Sequence, residues 1–119
     1  MKILIICNYA SGLYTFRGML IRELVKKRNI VRAIIPEPED EKEKRAEIQL
    51  KKLHCGLKRV KMERRGMNPV HDAKLMFAYY KTVKKMKPDL VLTYTIKPNI
   101  YGGFVCRLLK VPYAVNITG

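Results

Sequence analysis

Four short apolar runs set the limits on this fold: KILIIC at 2–7, IVRAII at 30–35, DLVLTY at 89–94 and YAVNI at 113–117. The first is continuous rather than alternating, the pattern of a strand covered on both faces, as parallel sheets require. Segments with helical spacing separate the runs. From 13 to 27, Leu13, Phe16, Leu20 and Leu24 recur with Met19, Ile21 and Val25, which predicts a helix with a broad buried face. Pro36 and Pro38 stop the second strand, and EDEKEKRAEIQLKKL beyond them reads as an exposed helix. Its Glu43 and Glu47, flanked by Lys44 and Lys51, are expected to be solvated charge.

A weaker strand from Leu57 to Met62 alternates apolar and basic residues, which suits a sheet edge. ERRGMNP is a loop by composition. Asn68-Pro69 then opens a helix to Lys87 with Ala73, Met76, Phe77, Tyr80 and Val83 on one face, Tyr80 toward the core and Tyr79 toward solvent. Pro88 ends it, and Asp89 is placed to cap the start of the fourth strand. The fourth helix spans 99–110. Strand and helix in alternation predict an α/β fold, a doubly wound Rossmann-like parallel sheet of five strands in the order 3-2-1-4-5.

At 119 residues the chain reads as one domain, 1–119. It holds no apolar stretch long enough to span a bilayer, and KILIIC is too short for a secretory signal, so a cytoplasmic location is expected. Cys7, Cys55 and Cys106 are widely spaced without a CxxC pair, which disfavours disulfides and zinc; two of them are expected to be buried. The formal charge is +15, which calls for an anionic partner: nucleic acid, an acidic membrane face or a phosphorylated ligand. NITG stops at a strand tip, where a folded domain seldom ends, so a longer chain is expected.

In an open parallel sheet, ligands bind beyond the carboxyl ends of the strands where the order reverses, here between the first and fourth. That edge collects 8–14, 36–39, 64–68, 93–99 and Thr118-Gly119. Most basic residues have another explanation, since Lys26, Lys27, Arg28, Lys84, Lys85, Lys87 and Lys110 fall at helix C-termini. Arg17, Arg64, Arg65 and Lys97 do not; they belong to the ligand edge or the first helical turn beside it and are candidates for phosphate. Ser11-Gly12 offers a turn whose backbone can approach phosphate or sugar closely, although neither GxGxxG nor a P-loop is present. Pro98 pushes Lys97 toward an extended conformation, holding a point charge at a strand tip. Gly102 and Gly103 let their helix press on the sheet. Asn68 joins Arg64 and Arg65 as a clamp for an acidic ligand, or as plain soluble loop. His54 and His71 lack partners at metal spacing, and Asp72 is only the neighbour of the second.

The stretches 8–24, 34–40, 64–81 and 88–119, above all TYTIKPNIYGG at 93–103, resemble the N-terminal domain of bacterial family 4 glycosyltransferases that build capsular and other undecaprenyl-linked polysaccharides; 42–61 is generic. The resemblance implies a retaining sugar transfer by two facing Rossmann-like domains, with the acceptor on this one and a UDP-sugar donor on a C-terminal domain absent here. It implies that Ser11-Gly12 lies near the phosphates and that Thr95, Lys97, Asn99, Thr118 and Gly119 face the cleft; on this reading Arg17, Arg64, Arg65 and Lys97 are expected to offset phosphate charge while Asn99 and Thr95 orient hydroxyls. Many members carry histidine before a glycine where Thr118 stands, so histidine-assisted chemistry does not carry over. No metal and no cofactor beyond the donor substrate is expected; the partners are the donor, a lipid-linked sugar acceptor, an anionic membrane surface and the donor domain. Two rivals remain: a non-catalytic binding subunit of a split glycosyltransferase, and a basic nucleic-acid-binding α/β domain for which no recognition motif is visible.

Overall fold

The computed structural model describes residues 1–62 and 68–116. Its elements alternate as β1 (Lys2–Ile6), α1 (Ala10–Lys26), β2 (Ile30–Pro36), α2 (Glu41–Lys52), β3 (Gly56–Val60), α3 (Pro69–Met86), β4 (Leu90–Tyr94), a π-helical turn (Pro98–Gly102), α4 (Gly103–Leu109) and β5 (Tyr113–Asn116). The five strands pair in the order β3-β2-β1-β4-β5, every pair parallel, with Ile6 opposite both Ile34 and Thr93. The Rossmann-like sheet is the one its apolar runs predict.

Period-two alternation along the strands feeds two apolar layers. Ile3, Ile5, Val31, Ala33 and Ile35 pack with Leu13 and Ile21 of α1 and Ala46 and Leu50 of α2. Leu4, Ile6, Ile34 and Val91 turn to the other face, against Leu75, Tyr79 and Val83 of α3 and Val105 and Cys106 of α4. Gly102 and Gly103 sit where the π-turn meets the sheet. A Cβ on Gly102 would lie 3.0 Å from Thr93 Cγ2 and 3.1 Å from Ile6 Cδ1, and one on Gly103 3.2 Å from the Tyr113 ring. The close approach expected of this glycine pair is what the packing requires.

Several expectations change. Phe16 and Met19 are 77% and 78% exposed and Leu20 is exposed, because α1 buries only the face set by Leu13, Gly18 and Ile21. On α3 the phase is one residue off: Tyr79 is fully buried and Tyr80 half-buried. Two apolar stripes compete on this helix, and the Leu75–Tyr79–Val83 stripe wins while turning Asp72 inward as well. Glu43 and Glu47 are buried rather than solvated, since each reaches a partner beyond its own helix. Glu47 accepts from two Arg59 nitrogens, Nε at 2.8 Å and Nη2 at 2.7 Å, bracing the β3 edge. All three cysteines are buried, and burial pushes the Cys55 thiol up to about 12 and Cys106 to about 11, so both stay protonated and inert.

His54 has φ 65° directly after α2, and Arg28, Lys87 and Lys110 adopt the same left-handed conformation after α1, α3 and α4. These positions ordinarily take glycine, so the residues after each helix serve as terminators. Asp89 accepts from the Lys2 backbone N–H at 2.7 Å and tethers the start of β1 to β4. Among the described residues no helix is long and apolar enough to cross a membrane.

Candidate functional site

The strand order reverses between β1 and β4, and the segments leaving the carboxyl ends of these two strands form the rim. After β1 the chain enters α1 within four residues. Ser11 and Gly12 therefore lie in the first turn of a helix that begins at Ala10, not in a connecting turn before it. Tyr9 is extended at the N-cap and makes no side-chain cap, and the first turn carries no acidic residue. Glu43 supplies one from α2: its Oε1 accepts from the Ser11 N–H at 3.3 Å, while Asp40 caps α2 through the Glu43 N–H at 2.9 Å. An internal carboxylate thus stands where the bare α1 N-terminus would draw an external anion. A Cβ on Gly12 would meet only Tyr9 Cβ at 3.8 Å, so packing does not demand glycine there and the backbone stays open.

After β4, Thr95 holds φ 75°, a left-handed conformation that a β-branched residue adopts only under constraint. Its hydroxyl donates to the Tyr94 carbonyl. Asn99 N–H bonds Thr95 O at 2.9 Å, closing a helical turn around Lys97. Lys97 is consequently helical, with φ −63° and ψ −47°, rather than extended. The bias imposed by Pro98 is overridden by that turn and by a side-chain anchor: Lys97 Nζ donates to Asp72 Oδ1 at 2.8 Å. Tyr101 OH donates to Asp72 Oδ2 at 2.9 Å, so one carboxylate of α3 ties down both ends of the π-turn. The Lys97 ammonium holds Asp72 below the usual carboxylate range, with Tyr101 adding to the effect, and the Asp72 acceptor pushes the Tyr101 hydroxyl up.

Asn99 Nδ2 donates to the Asn116 carbonyl at 3.0 Å, tying the π-turn to the end of β5. Its Oδ1 is buried and has no hydrogen-bond partner among the described residues. Arg17 lies in the third turn of α1, not the first, yet it reaches the reversal point by laying its guanidinium 5.2 Å over the Tyr94 ring. Nη1 donates to the Phe16 carbonyl at 3.1 Å, and among the described residues no carboxylate pairs with this cation. Asn68 is the N-cap of α3, its Oδ1 accepting from Val70 N–H at 3.1 Å and His71 N–H at 3.3 Å. Arg64, Arg65, Thr118 and Gly119 lie outside the described residues.

The structure therefore brings Ser11, Gly12, Arg17, Thr95, Lys97 and Asn99 to one rim, but gives their polar groups unequal freedom. Glu43, Asp72 and Tyr101 are the residues the motifs missed. Asp72 had a local signal, an acid in the first turn after an Asn-Pro helix start; Glu43 had none, because its contact crosses from one helix to another. Among the described residues no group of three or more His, Cys, Asp or Glu side chains is placed to hold a metal.

Residues 2–119 match the family model described as glycosyl transferase 4-like. The chain belongs to that family. No curated protein sequence matches it. Among solved structures the chain is similar to MurG of Acinetobacter baumannii, with TM-score 0.72 and 17% identity over 98% of this chain and 35% of that one. A deacetylase from the biosynthesis pathway of teicoplanin superposes with TM-score 0.79 at 11% identity, over 98% of this chain and 67% of that one. The UDP-GlcNAc 2-epimerase of Methanocaldococcus jannaschii gives 0.67 at 20% identity, over 97% and 31%. The chain thus spans about a third of the MurG and epimerase chains. Proteins of different kinds share this sheet at 20% identity or less, so these likenesses show the fold alone.

Proposed function

We propose that this chain is the acceptor-side part of a retaining glycosyltransferase that moves a sugar from a UDP-sugar to a polyprenyl-diphosphate-linked saccharide in cell-surface polysaccharide synthesis, working at the inner face of the plasma membrane. The single observation behind this reading is Arg17: a cation without a carboxylate partner among the described residues, laid on Tyr94 at the reversal point of a family 4 fold. A diphosphate on the acceptor meets that guanidinium, which forks onto phosphate oxygens. Beside it Asn99 ties the π-turn to the end of β5, so the rim that receives the sugar is held in place. Lys97, already neutralised by Asp72, shapes the rim rather than binding the anion.

Such a surface holds the acceptor in line for attack, while neutralising the leaving nucleotide falls to a donor-binding domain. The isolated 119-residue chain is accordingly inert alone. The test pairs it with a donor domain and tracks transfer from labelled UDP-sugars to an undecaprenyl-diphosphate saccharide. Arg17→Ala is expected to lower kcat/KM by about 10- to 100-fold, the worth of one charge-assisted contact. Unchanged transfer by that variant, or turnover by the chain alone, overturns the assignment.

A further inference from the structure

A second cationic feature lies on the α3 side of the sheet, away from the rim. A groove of about 660 Å³ runs between α3 and the first residues of β2 and β3. Leu4, Ala78 and Met86 line it with apolar surface, and Arg32, Lys58, Lys81 and Lys85 bring four cations from three elements without an acid among the described residues. The helix dipole accounts for Lys85 in the last turn of α3, but not for Arg32, Lys58 or Lys81. Among the described residues none of the four pairs with a carboxylate. Gly56 helps to build the groove: a Cβ there would lie 3.1 Å from Arg32 Cγ, so the bare glycine lets the arginine stem run across β3.

The groove continues onto the outer face of α3 through Lys81. Val70 and Phe77 stand there 61% and 59% exposed, and the only acid of α3, Asp72, is turned inward. Phe77 stacks on Tyr80 with centroids 6.5 Å apart, while Lys81 Nζ lies 5.3 Å from the Phe77 centroid and Lys84 Nζ 5.6 Å from that of Tyr80. Exposed apolar side chains embedded in lysines are the mark of a helix lying on a charged membrane surface.

We propose that this groove and the adjoining face of α3 dock on an anionic lipid bilayer, the groove taking a phosphate headgroup and Val70 and Phe77 entering the boundary with the acyl chains. The proposal rests on the reading of this chain as a transferase working at a membrane, and it names the face that meets the lipid. Nucleic acid fits this face less well. Its bases need open aromatic faces, and here Lys81 already lies over the Phe77 ring and Lys84 over that of Tyr80.

Cosedimentation with phosphatidylcholine vesicles, with and without phosphatidylglycerol, tests it. The wild type is expected to bind only the phosphatidylglycerol vesicles and to weaken as salt rises. K81A/K85A loses affinity by about 25-fold, at about 5-fold per lysine near the surface. K26A/K27A removes the same charge from α1 on the other face of the sheet and is expected to leave binding nearly unchanged. Thermal melts confirm that both variants fold. No binding by the wild type defeats the membrane reading itself. Binding by the wild type with equal losses in the two variants, or with none in K81A/K85A, defeats this face alone. Binding of a single-stranded oligonucleotide by the wild type, lost in K81A/K85A, together with no binding to the phosphatidylglycerol vesicles, reassigns the groove to nucleic acid.

Discussion

The two cationic regions of this chain treat positive charge in opposite ways. At the rim Lys97 is bound to Asp72 and Arg17 rests on Tyr94, each fixed by a neighbour. In the groove beside α3, Arg32, Lys58, Lys81 and Lys85 converge with no counter-charge among the described residues. Pairing a cation with a carboxylate, as at Lys97, costs affinity for outside anions and yields geometry; resting it on a ring, as at Arg17, sets its position and keeps its charge for a ligand. The rim is built to hold a shape, and the groove is built to attract.

The sharpest way to break that contrast is to unfix the rim. Asp72→Asn takes the carboxylate away from a largely buried Lys97 and is expected to cost about 3 kcal/mol in denaturant unfolding. Asp72→Asn combined with Lys97→Met removes both charges and recovers much of that loss, because neither charge then has to be held out of water. A stability equal to wild type for Asp72→Asn alone would mean that the pair fixes nothing.

Next in size is the contact that seats the π-turn. Gly102→Ala places a methyl group 3.0 Å from Thr93 Cγ2 and is expected to lower stability by about 2 kcal/mol through overpacking, read from the melting midpoint. Thr95→Gly works in the other direction. It removes a β-branched residue from φ 75° and is expected to stabilise by about 1 kcal/mol, with any loss of transfer in the full enzyme showing that the held conformation serves function.

The smallest effect is one of pH. Lys97 keeps the folded pKa of Asp72 below its unfolded value, so this contribution is complete at neutral pH and drains away as pH falls through the folded pKa. The stability gap between wild type and Asp72→Asn should therefore narrow below about pH 4, the range in which an unfolded aspartate takes up its proton. A gap that widened on acidification would rule out the ion pair as its source.

How much of the candidate site is legible in the sequence depends on the range of each interaction. TYTIKPN falls at the reversal point because strand order is set by the alternation of elements. The use of Gly102 and Gly103 is also legible, since glycine in a helix has few other reasons. The state of Lys97 is not: Pro98 argues for extended backbone, and an aspartate 25 residues earlier outweighs it. Glu43 looks solvated within its own charged helix, yet it closes the N-terminus of α1.

Local pattern was sufficient for the five-stranded parallel layer and its order, because buried parallel strands and amphipathic helices write their periods directly into neighbouring residues. Which stripe of α3 faces inward, and which cations are held and which left open, came only from the assembled fold. Helix phase and charge pairing depend on residues far apart in the chain, and no periodicity encodes the distance between Asp72 and Lys97 or the meeting of Arg32, Lys58 and Lys81.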